Sequence, residues 1–207
     1  MKPRIGYIGL TLELYRECMP DLIEDLDSFS REIAARLGDF GEVFPAHALS
    51  RRTDVEGALA EFAAEDVDVI VIVLLSYSPS LIALPGLLRT AAPLLVWNTQ
   101  RIHAITADFC SQDVSSNHGM HGVQDLCSVL RRHGRAYHVV TGHYRSSEAL
   151  AQVEAVISGA AAARSLDGGR IGILGHTFDG MGDLGVEPSG LLARTGVEVR
   201  HLSSAVL

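Results

Sequence analysis

The run Asp68–Leu75, DVIVIVLL, constrains this chain more than any other. After Asp68 every side chain is apolar, so a strand made from it needs cover on both faces. A central strand of a parallel sheet, with helices packed above and below, supplies that cover. The flanking sequence agrees, because short apolar runs alternate with amphipathic stretches as in βαβ units. Further strands are expected at Arg4–Leu10, Glu42–Ala46, Pro93–Trp97 and Ala136–Thr141. Leu22, Leu26, Phe29, Ile33 and Leu37 fall at helical spacing and predict a helix over Leu22–Leu37. Asp54 is positioned as the N-cap of a helix Val55–Glu65. A short helix is expected after Pro79, reaching about Arg89. His121–His133 is the next, stopped by Gly134, and the Ala-rich stretch Ser147–Arg164 closes the set.

These elements predict an α/β fold over residues 1–166, a flavodoxin-like three-layer, doubly wound parallel sheet. Asp167-Gly168-Gly169 then reads as a linker. Residues 167–207 begin a second α/β domain: a strand Gly169–Leu174, a short helix Pro188–Arg194 and a strand Val197–His201. A piece of this size is poorly equipped to build its own core, so the sequence is expected to stop inside that second domain. Ile171, Ile173, Leu174, Leu191 and Leu192 would then be left without partners, which suggests association.

Composition excludes several classes. A net charge of −8 without a basic cluster speaks against nucleic acid. Cys18, Cys110 and Cys127 are widely spaced, which suits a reducing compartment better than a disulfide framework. MKPRIGYIGL enters a strand at once, without a signal peptide. The run Val67–Leu75 is far short of the roughly 20 residues that span a bilayer. A cytoplasmic protein is the expectation.

In open α/β sheets, ligands sit outside the carboxyl ends of the strands. There this chain places Thr11–Glu17, Ser76-Tyr77-Ser78-Pro79, Asn98-Thr99-Gln100 and Gly142-His143-Tyr144-Arg145, with Asn117-His118-Gly119-Met120-His121 beyond. Amides, hydroxyls and imidazoles suit a polyhydroxylated ligand. Polar strand ends are also common as simple turns and helix starts, which is the plain reading for Glu13–Glu17 and for Ser76–Ser78. Three polar residues closing a buried strand, Asn98 to Gln100, require either a network or a ligand. His118, His121, Asp125 and Cys127 could suggest a metal, but Gly119 and Gly122 interrupt them and a catalytic site usually needs three ligands. Neither the first strand, Gly6-Tyr7-Ile8-Gly9-Leu10-Thr11, nor Gly172-Ile173-Leu174-Gly175 supplies a GxGxxG, Gly180-Met181-Gly182 reads as a flexible loop, and no P-loop or GxSxG motif is present.

The order of these motifs resembles the N-terminal portion of the L-arabinose/L-fucose isomerase family. Leu12-Glu13-Leu14-Tyr15 is similar to its glutamine-histidine-leucine-tyrosine turn, with Leu12 at the glutamine position. Asn98-Thr99-Gln100 resembles a histidine-threonine-glutamine strand end, with Asn98 in place of histidine. Ser116-Asn117-His118-Gly119 resembles a serine-alanine-histidine-glycine run. Arg170–Gly175 and Phe178–Asp183 look like the start of the middle domain.

The resemblance implies an aldose–ketose isomerisation through a cis-enediol, served by a Mn²⁺-type cation. That metal is held by two glutamates and two histidines from later parts of the family's chain, so no metal ligand and no catalytic residue is expected here. It also implies that Leu14, Tyr15, Asn98, Gln100 and His118 contact a small sugar, a pentose or deoxyhexose. His118 would reach into a neighbouring subunit's site in a homo-oligomer. The chain is then expected to be the substrate-binding and subunit-contact portion of an isomerase, inactive alone. Two alternatives remain at this point. One is a non-catalytic sugar-binding or regulatory module on the same sheet. The other is a flavodoxin-like protein binding something else between its first and third strands.

Overall fold

A computed structural model of the chain describes residues 2–175, 180, 185 and 187–202. The chain forms two compact units, residues 1–160 and 161–207. The first contains five strands, β1 (Arg4–Leu10), β2 (Glu42–Leu49), β3 (Val69–Leu74), β4 (Leu94–Asn98) and β5 (His138–Thr141), all parallel in the order β2-β1-β3-β4-β5. This is the doubly wound flavodoxin-like topology, and its strand order reverses direction between β1 and β3.

The alternation along each strand divides the core. Tyr7, Val71, Val73 and Trp97 point to one face, where they meet Leu22, Leu26, Phe29 and Ile33 of α2 (Pro20–Leu37) and Val153 and Ile157 of α7 (Ser147–Leu166). Ile8, Ile70, Ile72 and Val96 point to the other. That face is covered by Val55, Leu59 and Phe62 of α3 (Arg52–Ala64) and by Val123, Leu126 and Leu130 of α6 (Gly119–Arg132). All six residues of β3 are buried, as its two-sided apolar pattern requires. Among the described residues no helix is long and apolar enough to cross a membrane.

Several boundaries differ from the sequence expectation. Asp54 is not an N-cap: α3 begins at Arg52, Arg51 is the capping position, and Asp54 lies in the first turn. There a carboxylate still favours the helix by facing its positive end. The expected helix up to Arg89 is instead a 3₁₀ turn, Ser80–Ile82, and a separate short helix, α4 (Leu84–Leu87). Pro85 explains the break, because a continuous helix would need the N–H it lacks, whereas the first turn of a new helix does not. Two further short helices form: α1 (Glu13–Cys18), over the stretch whose plain reading was a helix start, and α5 (Ser111–Ser116), within a segment read as loop.

The second unit contains β6 (Arg170–Leu174), α8 (Pro188–Thr195) and β7 (Glu198–Leu202), with β6 and β7 paired in parallel. Ile171, Leu174, Leu192 and Leu202 are exposed in it. Phe178, Asp179, Met181, Gly182 and Asp183 of the glycine-rich stretch lie outside the described residues.

Candidate functional site

The carboxyl ends of β1, β3, β4 and β5 form a crest, and the loops above it are held in place by identifiable contacts. After β3, Ser76 donates its hydroxyl to the Ser115 carbonyl, which draws the loop before α6 onto the sheet. The start of α6 then lies directly on the end of β3. A Cβ on Gly119 would fall 2.1 Å from the Leu74 carbonyl oxygen, and one on Gly122 would fall 3.2 Å from the Ser78 backbone nitrogen. The two glycines that interrupt the histidine cluster in sequence thus permit this approach. It presents His118 between Tyr77 and His121, with ring centroids 5.8 Å and 4.5 Å away.

Asn117 closes the long segment after β4. Its Oδ1 accepts the Ile102 N–H at 2.8 Å, and its Nδ2 donates to the Asp113 carbonyl at 2.7 Å. Asp125 accepts the Ser80 N–H at 2.9 Å and is therefore committed to the turn before α4. Burial pushes the Cys127 thiol up. Among the described residues no group of three or more His, Cys, Asp or Glu could hold a metal ion. The described residues therefore do not fit a Mn²⁺ site.

The loop after β5 is fastened to the loop after β4 and to α2. His143 Nδ1 accepts the Arg145 N–H at 3.3 Å, which leaves Nε2 to donate to the Arg101 carbonyl at 3.2 Å. Arg101 pairs with Asp25 of α2 at 3.3 Å. The Tyr144 hydroxyl donates to Glu32 at 2.8 Å, with Arg145 beside it at 3.1 Å. The Tyr144 hydrogen bond is the largest influence holding the Glu32 carboxyl below its usual range. Burial, and then the bond to Glu32, raises Tyr144.

Two adjoining cavities open over β4 and β5. One, of about 280 Å³, is lined by Asn98, Thr99, Gln100, Thr141 and His143 among others. The second, of about 230 Å³, takes in His118, His121 and Asn117, and the two share Gln100, Ile102, His103 and Met120. Both are smaller than the roughly 300–1,000 Å³ of drug-sized ligand pockets, which suits a small molecule. Thr99 is 5% exposed, and its hydroxyl has no hydrogen-bond partner. The buried hydroxyls of Thr11 and Ser78, just beyond β1 and β3, are unpartnered too. Three such groups at one crest call for ordered water or ligand.

Of the five residues singled out in sequence, Asn98, Gln100 and His118 fall in these cavities. Asn98 Nδ2 lies 3.4 Å from Thr141 Oγ1, and Gln100 Nε2 donates to the Ile102 carbonyl at 3.2 Å. Leu14 and Tyr15 line neither cavity. They ride on α1, where Tyr15 packs against the core on the α2 side and Leu14 is 55% exposed. Glu13 secures this helix by accepting from Ser50 and from Arg51 Nε at 2.8 Å. Those two bonds, Ser50 first, hold its carboxyl below the usual range.

His103 and Thr141 are cavity residues that the sequence did not single out, whereas Thr99 and His143 were named only as members of their strand-end loops. The position of Thr99 and Thr141 at strand ends was the available signal. The pairing of His103 with His143, centroids 5.0 Å apart, joins two loops and had none.

A family model, the L-arabinose isomerase N-terminal domain, matches residues 13–168. No curated protein matches the chain.

Proposed function

The chain belongs to the L-arabinose isomerase N-terminal domain family, and from that premise we propose that it is the sugar-binding and subunit-contact portion of an aldose–ketose isomerase. The observation that carries this reading is the Thr99 hydroxyl, buried without a partner in a cavity rimmed by Asn98, Gln100 and Thr141. A polyol hydroxyl both donates and accepts, so it can satisfy Thr99 and bridge to the neighbouring amides. His103, His118 and His143 add ring donors and acceptors around it. The part played by these residues is to bind and orient a small pentose or deoxyhexose. Proton transfer between sugar carbons, and the divalent cation that assists it, would come from elsewhere in the assembled enzyme.

Subunit contact is supported by the exposed apolar side chains around the crest, Leu14, Ile105, Val114 and Met120. In a homo-oligomer with shared pockets they would be covered, with His118 and Leu14-Tyr15 facing a neighbour.

Calorimetric titration with aldoses, ketoses and pentitols, with and without Mn²⁺, tests the proposal. Metal-independent binding, weakened at least fivefold by Gln100→Ala or His118→Ala, is the expected result. Absence of binding, or binding indifferent to both substitutions, would overturn it. EDTA-sensitive turnover by this chain alone would refute the assignment of proton transfer to other parts.

A further inference from the structure

His143 lines the same cavity as Thr99 and also fastens together the loops after β4 and β5 that rim it. Its partners fix its chemical form. The Arg145 backbone N–H can only donate, so Nδ1 must be a bare acceptor; the Arg101 carbonyl can only accept, so Nε2 must carry the proton. Only the neutral Nε2–H imidazole makes both bonds. Both ends of this latch are anchored on α2, through Arg101 to Asp25 and through Tyr144 and Arg145 to Glu32. Trp97 Nε1 donates to the Gly142 carbonyl at 3.3 Å, which ties the residue before His143 to β4. The Arg101 carbonyl lies one residue beyond Gln100 and two beyond Thr99, so the latch constrains the backbone that carries both.

Protonation undoes this arrangement. A proton on Nδ1 removes the acceptor for the Arg145 N–H and sets two donors against each other. The imidazolium would also stand among cations, with Arg101 and Arg145 on either side and the His103 ring 5.0 Å away. The carboxylates on this side of α2 are already engaged, Asp25 by Arg101 and Glu32 by Arg145. The Tyr144 ring, 4.6 Å from His143, has its hydroxyl committed to Glu32.

We propose that His143 is a positioning residue for the sugar site, which is competent only while this imidazole is neutral, so that acid releases the sugar. The inference rests on the sugar-binding reading and adds a pH control to it.

Two readouts on the intact chain test it. The first is calorimetric titration with L-arabinose and L-fucose. The tighter of the two should bind about fivefold more weakly at pH 5.5 than at pH 7.5, the worth of one neutral hydrogen bond. The second is the indole N–H resonance of Trp97, the sole tryptophan, in the ligand-free chain. Its shift should follow the same titration, which a histidine touching only the sugar would not cause. His143→Gln, whose amide can still donate to the Arg101 carbonyl, should keep most of the affinity at pH 7.5 and lose both pH dependences. His143→Asn, too short to reach that carbonyl, should bind about fivefold more weakly at pH 7.5 while its indole resonance stays that of a folded chain. His133→Gln, exposed at the opposite end of α6 and outside both cavities, should behave as the parent. Equal affinity at the two pH values would overturn the inference and leave the sugar site standing. So would a pH dependence that survives His143→Gln, or an indole resonance indifferent to pH. No binding of either sugar at pH 7.5 would remove both readings.

Discussion

Gly119→Ala tests whether the crest depends on the close seating of α6 on β3. The added Cβ would lie 2.1 Å from the Leu74 carbonyl oxygen, whereas real Cβ contacts essentially never fall under 3.0 Å. The start of α6 must therefore retreat by roughly 0.9 Å, or β3 must yield, because the obstacle is backbone rather than a side chain that can rotate away. Overpacking of this kind costs about 1–3 kcal/mol, and a backbone obstacle argues for the upper half of that range. With a urea m-value of about 2 kcal/mol/M, the midpoint should fall by about 1 M. Helix propensity offers little compensation at the first helical position. Gly57→Ala in α3 is the matched control, because nothing lies within 4 Å of its Cβ position. It should gain up to ~1 kcal/mol from propensity alone. Urea unfolding followed by circular dichroism reads both. The same displacement moves His118 and His121, so sugar affinity should fall with Gly119→Ala and stay unchanged with Gly57→Ala. A wild-type midpoint for Gly119→Ala, or two variants shifting in the same direction, would refute the packing argument.

Thr99→Val should raise the stability of the ligand-free chain by ~1 kcal/mol, since an unsatisfied buried hydroxyl costs about 1–3 kcal/mol. It should also weaken sugar binding, and a drop in stability would show that the hydroxyl has a partner after all. Tyr144→Phe should cost about 1 kcal/mol in urea unfolding, because its bond to the partly exposed Glu32 anchors the loop after β5; an unchanged midpoint would count against that anchor. His47 gives a pH dependence. Burial lowers its pKa, Arg31 adds to that effect, and Asp27 opposes it. Its Nδ1 bonds Ser30 Oγ at 2.9 Å, and Ser30 in turn meets the buried Tyr7 hydroxyl, whose own pKa burial raises. The unfolded chain then takes up the proton first, so the contribution of His47 is complete above about pH 6.5 and declines as pH falls through that value toward the lower folded pKa. Urea midpoints at pH 7.5 and 5.5 should differ less in His47→Gln than in the parent, and an equal difference would exclude His47 as the source.

How much of this was legible beforehand varies with the range of the interaction. The strands, the two covering helix faces and the location of the crest follow from local pattern, because side chains alternate along a strand and repeat every 3.6 residues along a helix. DVIVIVLL could be little else than a central strand, and the helix spacing of Leu22 to Leu37 named the residues that meet it. The Asn98-Thr99-Gln100 strand end announced a polar site for the same local reason. Helix starts were less legible: α3 opens at Arg52 with no side-chain cap to mark it.

What the tertiary structure decided lies between segments distant in sequence. Register and loop closure bring His103 to His143, 40 positions later, and give Asp125 to Ser80 rather than to a metal. They set Asn98, Gln100 and His118 around adjoining cavities, while Leu14 and Tyr15 ride on α1 outside both. They also leave the Thr99 hydroxyl buried and unpaired. Periodicity fixes which way a side chain faces. Only the packed chain fixes what it faces, because that depends on every other strand and helix taking its place.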